Sequence, residues 1–223
     1  MAAALLPFHK EILERIHDPA TSDLLVIARG LGLRRIVCTL MKIYDSPQSL
    51  ILLVNATQEE ESEIGEDLGI MGCRKPGLRA VGYETGSRDR SVLKHPPTIA
   101  FPEVCIRQDL YKQGGLISVT SRILVVDMLQ SDIPTNLITG ILVLHAEKYN
   151  LFAPCRGAQT KPMSNRVTPL VLEAFIVRLY REKNTSGFLK AFTDQPEHIT
   201  SGLSPLKNIM KELQLRRVHI YPR

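Results

Sequence analysis

Two runs, Leu24–Ala28 (LLVIA) and Leu50–Val54 (LILLV), are apolar at every position. A half-buried strand alternates apolar and polar residues, so continuous runs mark strands covered on both faces. Helical spacing surrounds them. Phe8, Ile12, Leu13 and Ile16 share one face, Pro7 suits a first turn, and Asp18-Pro19 ends the segment. Gly30 and Gly32 turn the chain after the first run, and Ile36, Leu40 and Ile43 form the next stripe. Thr57 and Glu60 have the spacing of a capping box at the head of an acidic helix. Helix, strand, helix, strand, helix predicts a parallel sheet with helices on both faces.

The stretch Gln113–Lys148 continues the alternation. Gly115–Val119 reads as a strand, Thr120–Gln130 as a capped helix, and Leu137–Leu144 as a buried strand beyond a Pro turn. Ile123–Asp127 (ILVVD) imitates a strand ending in a metal-binding acid. Thr120 and Ser121 are strong N-caps, however, and Leu124/Met128 and Val125/Leu129 are i,i+4 pairs. Asp127 therefore belongs to a helix and is expected to be solvated or salt-bridged. Leu172, Phe175, Ile176 and Leu179 form a later stripe, and Phe188–Phe192 is strand-like. Ser204 and Pro205 open a helix carrying Leu206, Ile209, Met210 and Leu213, and Val218–Tyr221 is a last strand. Order weakens over about 71–107, where only a strand near Leu78–Tyr83 is expected, and again over about 149–169. The expectation is a single domain over 1–223 with two irregular loop insertions.

The turn Arg29-Gly30-Leu31-Gly32-Leu33-Arg34-Arg35 sits where a phosphate loop would lie. A working loop needs a Lys for the β/γ-phosphates and a hydroxyl for Mg²⁺, and the chain has no Gly-Lys dipeptide. Only Gly30-x-Gly32 is present, so the dinucleotide pattern fails too. Ile141–Glu147 (ILVLHAE) stands where a helicase carries Asp-Glu-Ala-His. Its Mg²⁺ position is Leu144 or His145, neither suited to a hard cation, and Glu147 alone cannot supply the chemistry. Thr193, in Phe192-Thr193-Asp194, sits in a polar turn that in motors couples ATP to strand movement; here it is expected to cap. No GxSxG elbow occurs.

Composition changes the picture little. A net charge of +5 mildly favours a polyanionic partner. The lack of Trp and scarcity of aromatics disfavour base stacking on a sheet. Cys38, Cys73, Cys105 and Cys155 make no CxxC pair and have no His at ligand spacing, so no metal site is expected. No apolar run reaches membrane-spanning length, and the N-terminal stretch fits an amphipathic helix better than a signal peptide. A reducing, intracellular compartment is expected.

On these residues, QGGLISVTSRILVVDMLQSDIPTNLITGILVLHAEK resembles the N-terminal helicase-like region of the XPF family of structure-specific DNA repair endonucleases. LLVIARGLG, LILLVNATQEEE, LEAFIVRLYREKN, GFLKAFTDQPE and VHIYPR extend the likeness from about Leu24 to Arg223. It is interrupted at about 91–107 and 149–166, stretches that are either translated intron or lineage-specific loops. The resemblance implies an α/β, RecA-like first lobe of a degenerate superfamily-2 helicase module that does not hydrolyse ATP. It implies a nuclease domain and tandem helix-hairpin-helix domains outside this chain, the nuclease using a divalent metal. Its Glu-Arg-Lys signature does not occur here, so no catalytic residue, metal or cofactor is expected. The resemblance further implies nucleotide excision repair in the nucleus, a smaller non-catalytic partner held through other regions, contacts with further repair proteins, and no membrane.

By the same resemblance, Arg29–Gly32 is the degenerate first motif and Asn55–Thr57 the next. Thr120, Ser121 and Arg122 correspond to a strand-contacting motif, and His145–Glu147 to the lost Asp-Glu-Ala-His. Expected DNA contacts are Arg29, Arg34, Arg35, Asn55, Thr57, Thr120, Ser121 and Arg122. Two other readings stand beside this one: a protein-interaction platform without DNA contact, and an active helicase, which the missing Lys and acids oppose.

Overall fold

The computed structural model describes residues 5–75, 77–81, 103–147, 171–200 and 203–221. Within these, seven strands form one sheet in the order β3-β4-β2-β5-β6-β1-β7. The strands are β1 (Ser22–Ile27), β2 (Leu50–Val54), β3 (Leu78–Val81), β4 (Gly115–Val119), β5 (Gly140–Val143), β6 (Phe188–Thr193) and β7 (Arg217–Tyr221). Every pairing is parallel. The helices are α1 (Pro7–Ile16), α2 (Leu33–Ile43), α3 (Gln58–Ile70), α4 (Glu103–Gln113), α5 (Ser121–Leu129), α6 (Val171–Lys183), α7 (Pro196–Thr200) and α8 (Leu203–Glu212).

The central strands are buried throughout because each face meets a helical layer. Leu24, Val26, Leu50, Leu52 and Val54 face a core completed by Tyr111, Leu124, Ile176, Tyr180 and Ile209 of α4, α5, α6 and α8. The alternate residues Leu25, Ile27, Ile51 and Leu53 face Ile12, Ile36, Leu40 and Ile64 of α1, α2 and α3. The period of two along each strand thus divides the helices between two faces. Each fully buried Leu or Ile here contributes about 1.5–3 kcal/mol relative to exposure.

Local signals hold at several ends. Thr57 and Glu60 form the reciprocal capping box at α3, and the Thr120 hydroxyl accepts from the Ile123 amide at α5. Elsewhere tertiary packing overrides them. The strand expected at Leu137–Leu144 is shorter: Thr135–Leu137 is a 3-10 turn and β5 begins at Gly140. The stripe on α6 is rotated, with Ala174, Ile176, Val177 and Tyr180 buried while Leu172 and Phe175 are over a third exposed. On α2, Ile43 is exposed and Val37 and Met41 take its place in the core. In the first irregular stretch the expected strand is present as β3, and the far end is corrected, because α4 already begins at Glu103. The rest of that stretch, and the loop expected at about 149–169, lie outside the described residues.

Of the two environments expected for it, Asp127 has the salt-bridged one and not the solvated one. It is fully buried, accepts from Tyr111 Oη at 2.7 Å and pairs with Arg107 at 3.2 Å. At the amino end of the sheet, Lys190 and Asp23 are register partners on β6 and β1 and form a buried ion pair. Lys190 Nζ also donates to the Asp18 and Thr21 carbonyls at 2.7 and 2.9 Å. Burial pushes the Lys190 ammonium down, and Asp23 opposes that. A lone buried charge would cost several kcal/mol, so these bonds are what make a Lys tolerable inside β6.

Candidate functional site

Parallel strands bring their carboxyl ends to one edge, where ligands of open α/β sheets bind. The loops after β1, β2, β4, β5 and β6 gather there, carrying Arg29–Gly32, Asn55–Thr57, Thr120, Leu144–Glu147 and Asp194. The fold thus brings together most of the positions singled out from the sequence. It does not leave them equally available.

A cavity of about 260 Å³ lies at this edge between the first loop, α2, α3 and the loop after β5. Gly30 and Gly32 turn at positive φ of 83° and 79°. A Cβ on Gly32 would come within 2.8 Å of His9 Nε2, and that nitrogen hydrogen-bonds the Leu31 carbonyl at 2.8 Å. His9, from α1, therefore pins the loop from behind. The cavity wall carries the carboxylates Glu60, Glu63 and Asp194. Arg34, which also lines the cavity, is held by Glu63 and by Asp67, the latter at 3.1 Å. Burial would lower the Arg34 guanidinium, but these two acids hold it above its ordinary value. A triphosphate would meet three carboxylates and an arginine already engaged.

The segment His145–Glu147 is closely bonded. His145 has φ of 52° and its Nε2 lies 2.8 Å from Glu60 Oε1, while its Nδ1 lies 3.4 Å from Glu147 Oε1. The Glu147 side chain is 3 % exposed, and its Oε2 has no hydrogen-bond partner among the described residues. Burial would raise the Glu147 carboxyl, but His145, Thr193 and its own backbone amide outweigh burial and hold it low. Glu60 is similar: burial opposes, yet the Thr57 amide and His145 lower it. Thr193 is fully buried, and its hydroxyl also accepts from the Gln195 amide at 3.1 Å, a capping role like the one expected.

The expected DNA contacts divide by exposure. Arg29 is open to solvent, with Glu197 no nearer than 3.8 Å, and Thr120 and Arg122 are exposed at the head of α5. Arg34 is engaged as described. Arg35 is half-buried and has partners of its own. Thr57 spends its hydroxyl on the capping box. Ser121 is buried, with its hydroxyl 2.7 Å from Asn55 Oδ1 and 2.6 Å from Glu173 Oε1. A hydroxyl has one hydrogen to give, and Asn55 Nδ2 is otherwise without a partner among the described residues. Turning the amide lets Nδ2 donate to Ser121, which donates to Glu173, and satisfies all three. This chain ties the loop after β2 to α5 and α6 rather than facing solvent.

Glu60, Glu63, Asp194, Glu173 and His9 were not singled out as site residues. Glu60 was legible as a capping residue, and its second role toward His145 appears only in three dimensions. Asp194 adjoins Thr193, but nothing local points it at residues 47 positions away. His9 had no local signal, since its partner lies 22 residues on.

No protein-family model matches the chain. It is 32% identical over 221 residues to DNA repair endonuclease XPF of Cricetulus griseus, covering 99% of this chain and 20% of that protein. It is 37% identical over 200 residues to DNA repair protein rad16 of Schizosaccharomyces pombe, covering 90% and 19%. It is 33% identical over 230 residues to DNA repair protein RAD1 of Saccharomyces cerevisiae, covering 98% and 19%. The chain thus spans about one fifth of the length of these relatives. Among solved structures, it superposes on the Pyrococcus furiosus Hef helicase domain with TM-score 0.61 at 14% identity, over 96% of this chain and 37% of that one. A Saccharomyces cerevisiae dbp5 structure gives TM-score 0.58 at 10% identity, over 97% and 48%. These two likenesses show the fold, a helicase RecA-like lobe. The course of the sequence and this fold agree: over nearly its whole length the chain is similar to one segment of the XPF, rad16 and RAD1 DNA repair proteins, and that segment is folded as a helicase-like lobe.

Proposed function

We propose that this chain is the N-terminal helicase-like module of an XPF-type structure-specific endonuclease acting in nucleotide excision repair in the nucleus, and that it holds DNA without hydrolysing ATP. The observation that carries the reading is the wall of the cavity at the first loop. Phosphoryl transfer depends on a cation at the β/γ-phosphates and on acids that order Mg²⁺. Here the loop has no Lys, its Arg34 is paired with Glu63 and Asp67, and Leu144 or His145 stands where the ordering acid would be. Glu60, Glu63 and Asp194, which line the cavity, would repel a triphosphate. The same edge keeps Arg29, Thr120 and Arg122 exposed, and the first turn of α5 offers backbone amides to a phosphate. Binding of this kind is independent of sequence and sensitive to salt.

The test measures ATP hydrolysis by the purified chain with and without single-stranded or forked DNA. No DNA-stimulated turnover is expected, alongside DNA binding that needs no nucleotide. A DNA-stimulated rate would overturn the reading.

A second reading, a platform for repair partners without DNA contact, is favoured by one feature. Val126 and Leu129 on α5 and Leu172 and Phe175 on α6 are apolar and 37–59% exposed, and the two helices pack together. Clustered exposed apolar residues mark interaction surfaces. Unchanged DNA affinity after Arg29→Glu and Arg122→Glu would move the assignment to this reading.

A further inference from the structure

We propose that His145, Glu147 and Asp194 form a binding site for a divalent transition-metal ion of the Zn²⁺ class. Each offers one ligand atom, and the three atoms lie within 4.8 Å of one another. The site is a new one: it arises where the Mg²⁺-ordering acid of a helicase has been lost, and it uses a different donor set.

The geometry and the chemistry both point this way. Tetrahedral Zn²⁺ with bonds of about 2.0–2.1 Å places neighbouring ligand atoms roughly 3.4 Å apart. The Nδ1–Oε1 separation of His145 and Glu147 is 3.4 Å, long for a hydrogen bond but matched to that edge. Glu60 lies against Nε2 at 2.8 Å. When Nε2–H donates to Glu60, the neutral ring turns a lone pair outward at Nδ1. This is the carboxylate–histidine arrangement by which proteins fix the tautomer of a metal-ligating His. The second, independent observation is Glu147 Oε2, an orphan acceptor on a side chain that is 97% buried. A buried carboxylate oxygen without a donor costs free energy unless a cation or proton meets it. An imidazole with two carboxylates suits a borderline cation, whereas Mg²⁺ prefers oxygen ligands and retains its waters.

His145 and Glu147 follow β5, and Asp194 follows β6, so the ion would staple two neighbouring strand ends. Three protein ligands leave a fourth position, on the side where His145 and Asp194 line the cavity. The competing state of the same side chains is an imidazolium clamped between Glu60 and Glu147, which binds no metal. The proposal does not depend on whether the module holds DNA.

Calorimetric titration of the metal-free 223-residue chain with Zn²⁺, and separately with Mg²⁺, decides between them. One equivalent of Zn²⁺ should bind, raise the thermal midpoint as a ligand of the folded state does, and bind far tighter than Mg²⁺. Glu147→Gln and Asp194→Asn each remove the tight equivalent, while their unliganded thermal midpoints establish that they fold. Glu60→Gln, a positioning change, should weaken binding about 10–100-fold. Absence of a tight equivalent would overturn the proposal. So would a tight equivalent that survives both ligand substitutions but is lost when the cysteines are alkylated.

Discussion

Tyr111 and Asp127 illustrate what one buried hydroxyl contributes. The phenol donates to Asp127 at 2.7 Å beneath α4 and α5, and Arg107 reaches the same carboxylate. Burial first, and then the charge of Asp127, push the Tyr111 phenol well above its ordinary value. Burial likewise pushes Tyr180 up to about 12. A phenol raised in the folded state stabilises fully below its unfolded value of about 10, and that stability is lost as pH rises past it. Tyr111→Phe should cost about 1–3 kcal/mol at neutral pH, because a buried acceptor loses its donor. It should also flatten the fall in thermal midpoint above about pH 10, where the unfolded phenol ionises and the folded one does not. Thermal unfolding of both proteins from neutral pH through that range checks both effects, and an unchanged alkaline slope would remove the role given to Tyr111. Polar residues on elements that meet only in the fold carry no sequence mark of this kind. Asp127 could be assigned to a helix from its caps, but its burial depended on Tyr111 and Arg107, 16 and 20 positions away.

At the scale of elements, continuous apolar runs and caps were legible because they depend on neighbours in the chain. LLVIA and LILLV became β1 and β2, and Thr57 and Thr120 capped the helices expected of them. The stripe on α6 was misjudged because Leu172 and Phe175 fit a helical period as well as Ala174 and Val177 do. Which face is buried was settled by packing on α5 and the sheet. The shortening of β5 has a steric reason as well. Gly140 is the register partner of Phe188, and a Cβ there would lie 2.2 Å from the ring. The strand can start at Gly140 only because that residue has no side chain. Gly140→Ala should therefore destabilise by about 1–3 kcal/mol through overpacking. Chemical denaturation reads this directly, and Phe188→Leu in the same chain should recover part of the loss. A neutral Gly140→Ala would mean that the β5–β6 contact is looser than described. In the candidate site, loop positions were legible and side-chain partnerships were not. Arg34 is a visible basic residue whose acids, Glu63 and Asp67, belong to the next helix.

Taken whole, the molecule has the architecture of a helicase RecA-like lobe. Seven parallel strands deliver five loops to one side. Those loops present carboxylates to the cavity and leave Arg29 and Arg122 facing outward. Under the proposed function, holding a polyanion and not turning over a triphosphate would both follow from this one distribution of charge. The most direct measurement is the affinity of the chain for single-stranded DNA as a function of salt, beside the Arg29→Ala/Arg122→Ala variant. Each phosphate contact contributes about −0.7 to the slope of log affinity against log salt on a single strand. The account predicts a clearly negative slope for the unaltered chain, shallower by roughly 1.4 in the double variant, with weaker binding at every salt concentration. Identical slopes for the two proteins, or an affinity that does not respond to salt, would contradict it.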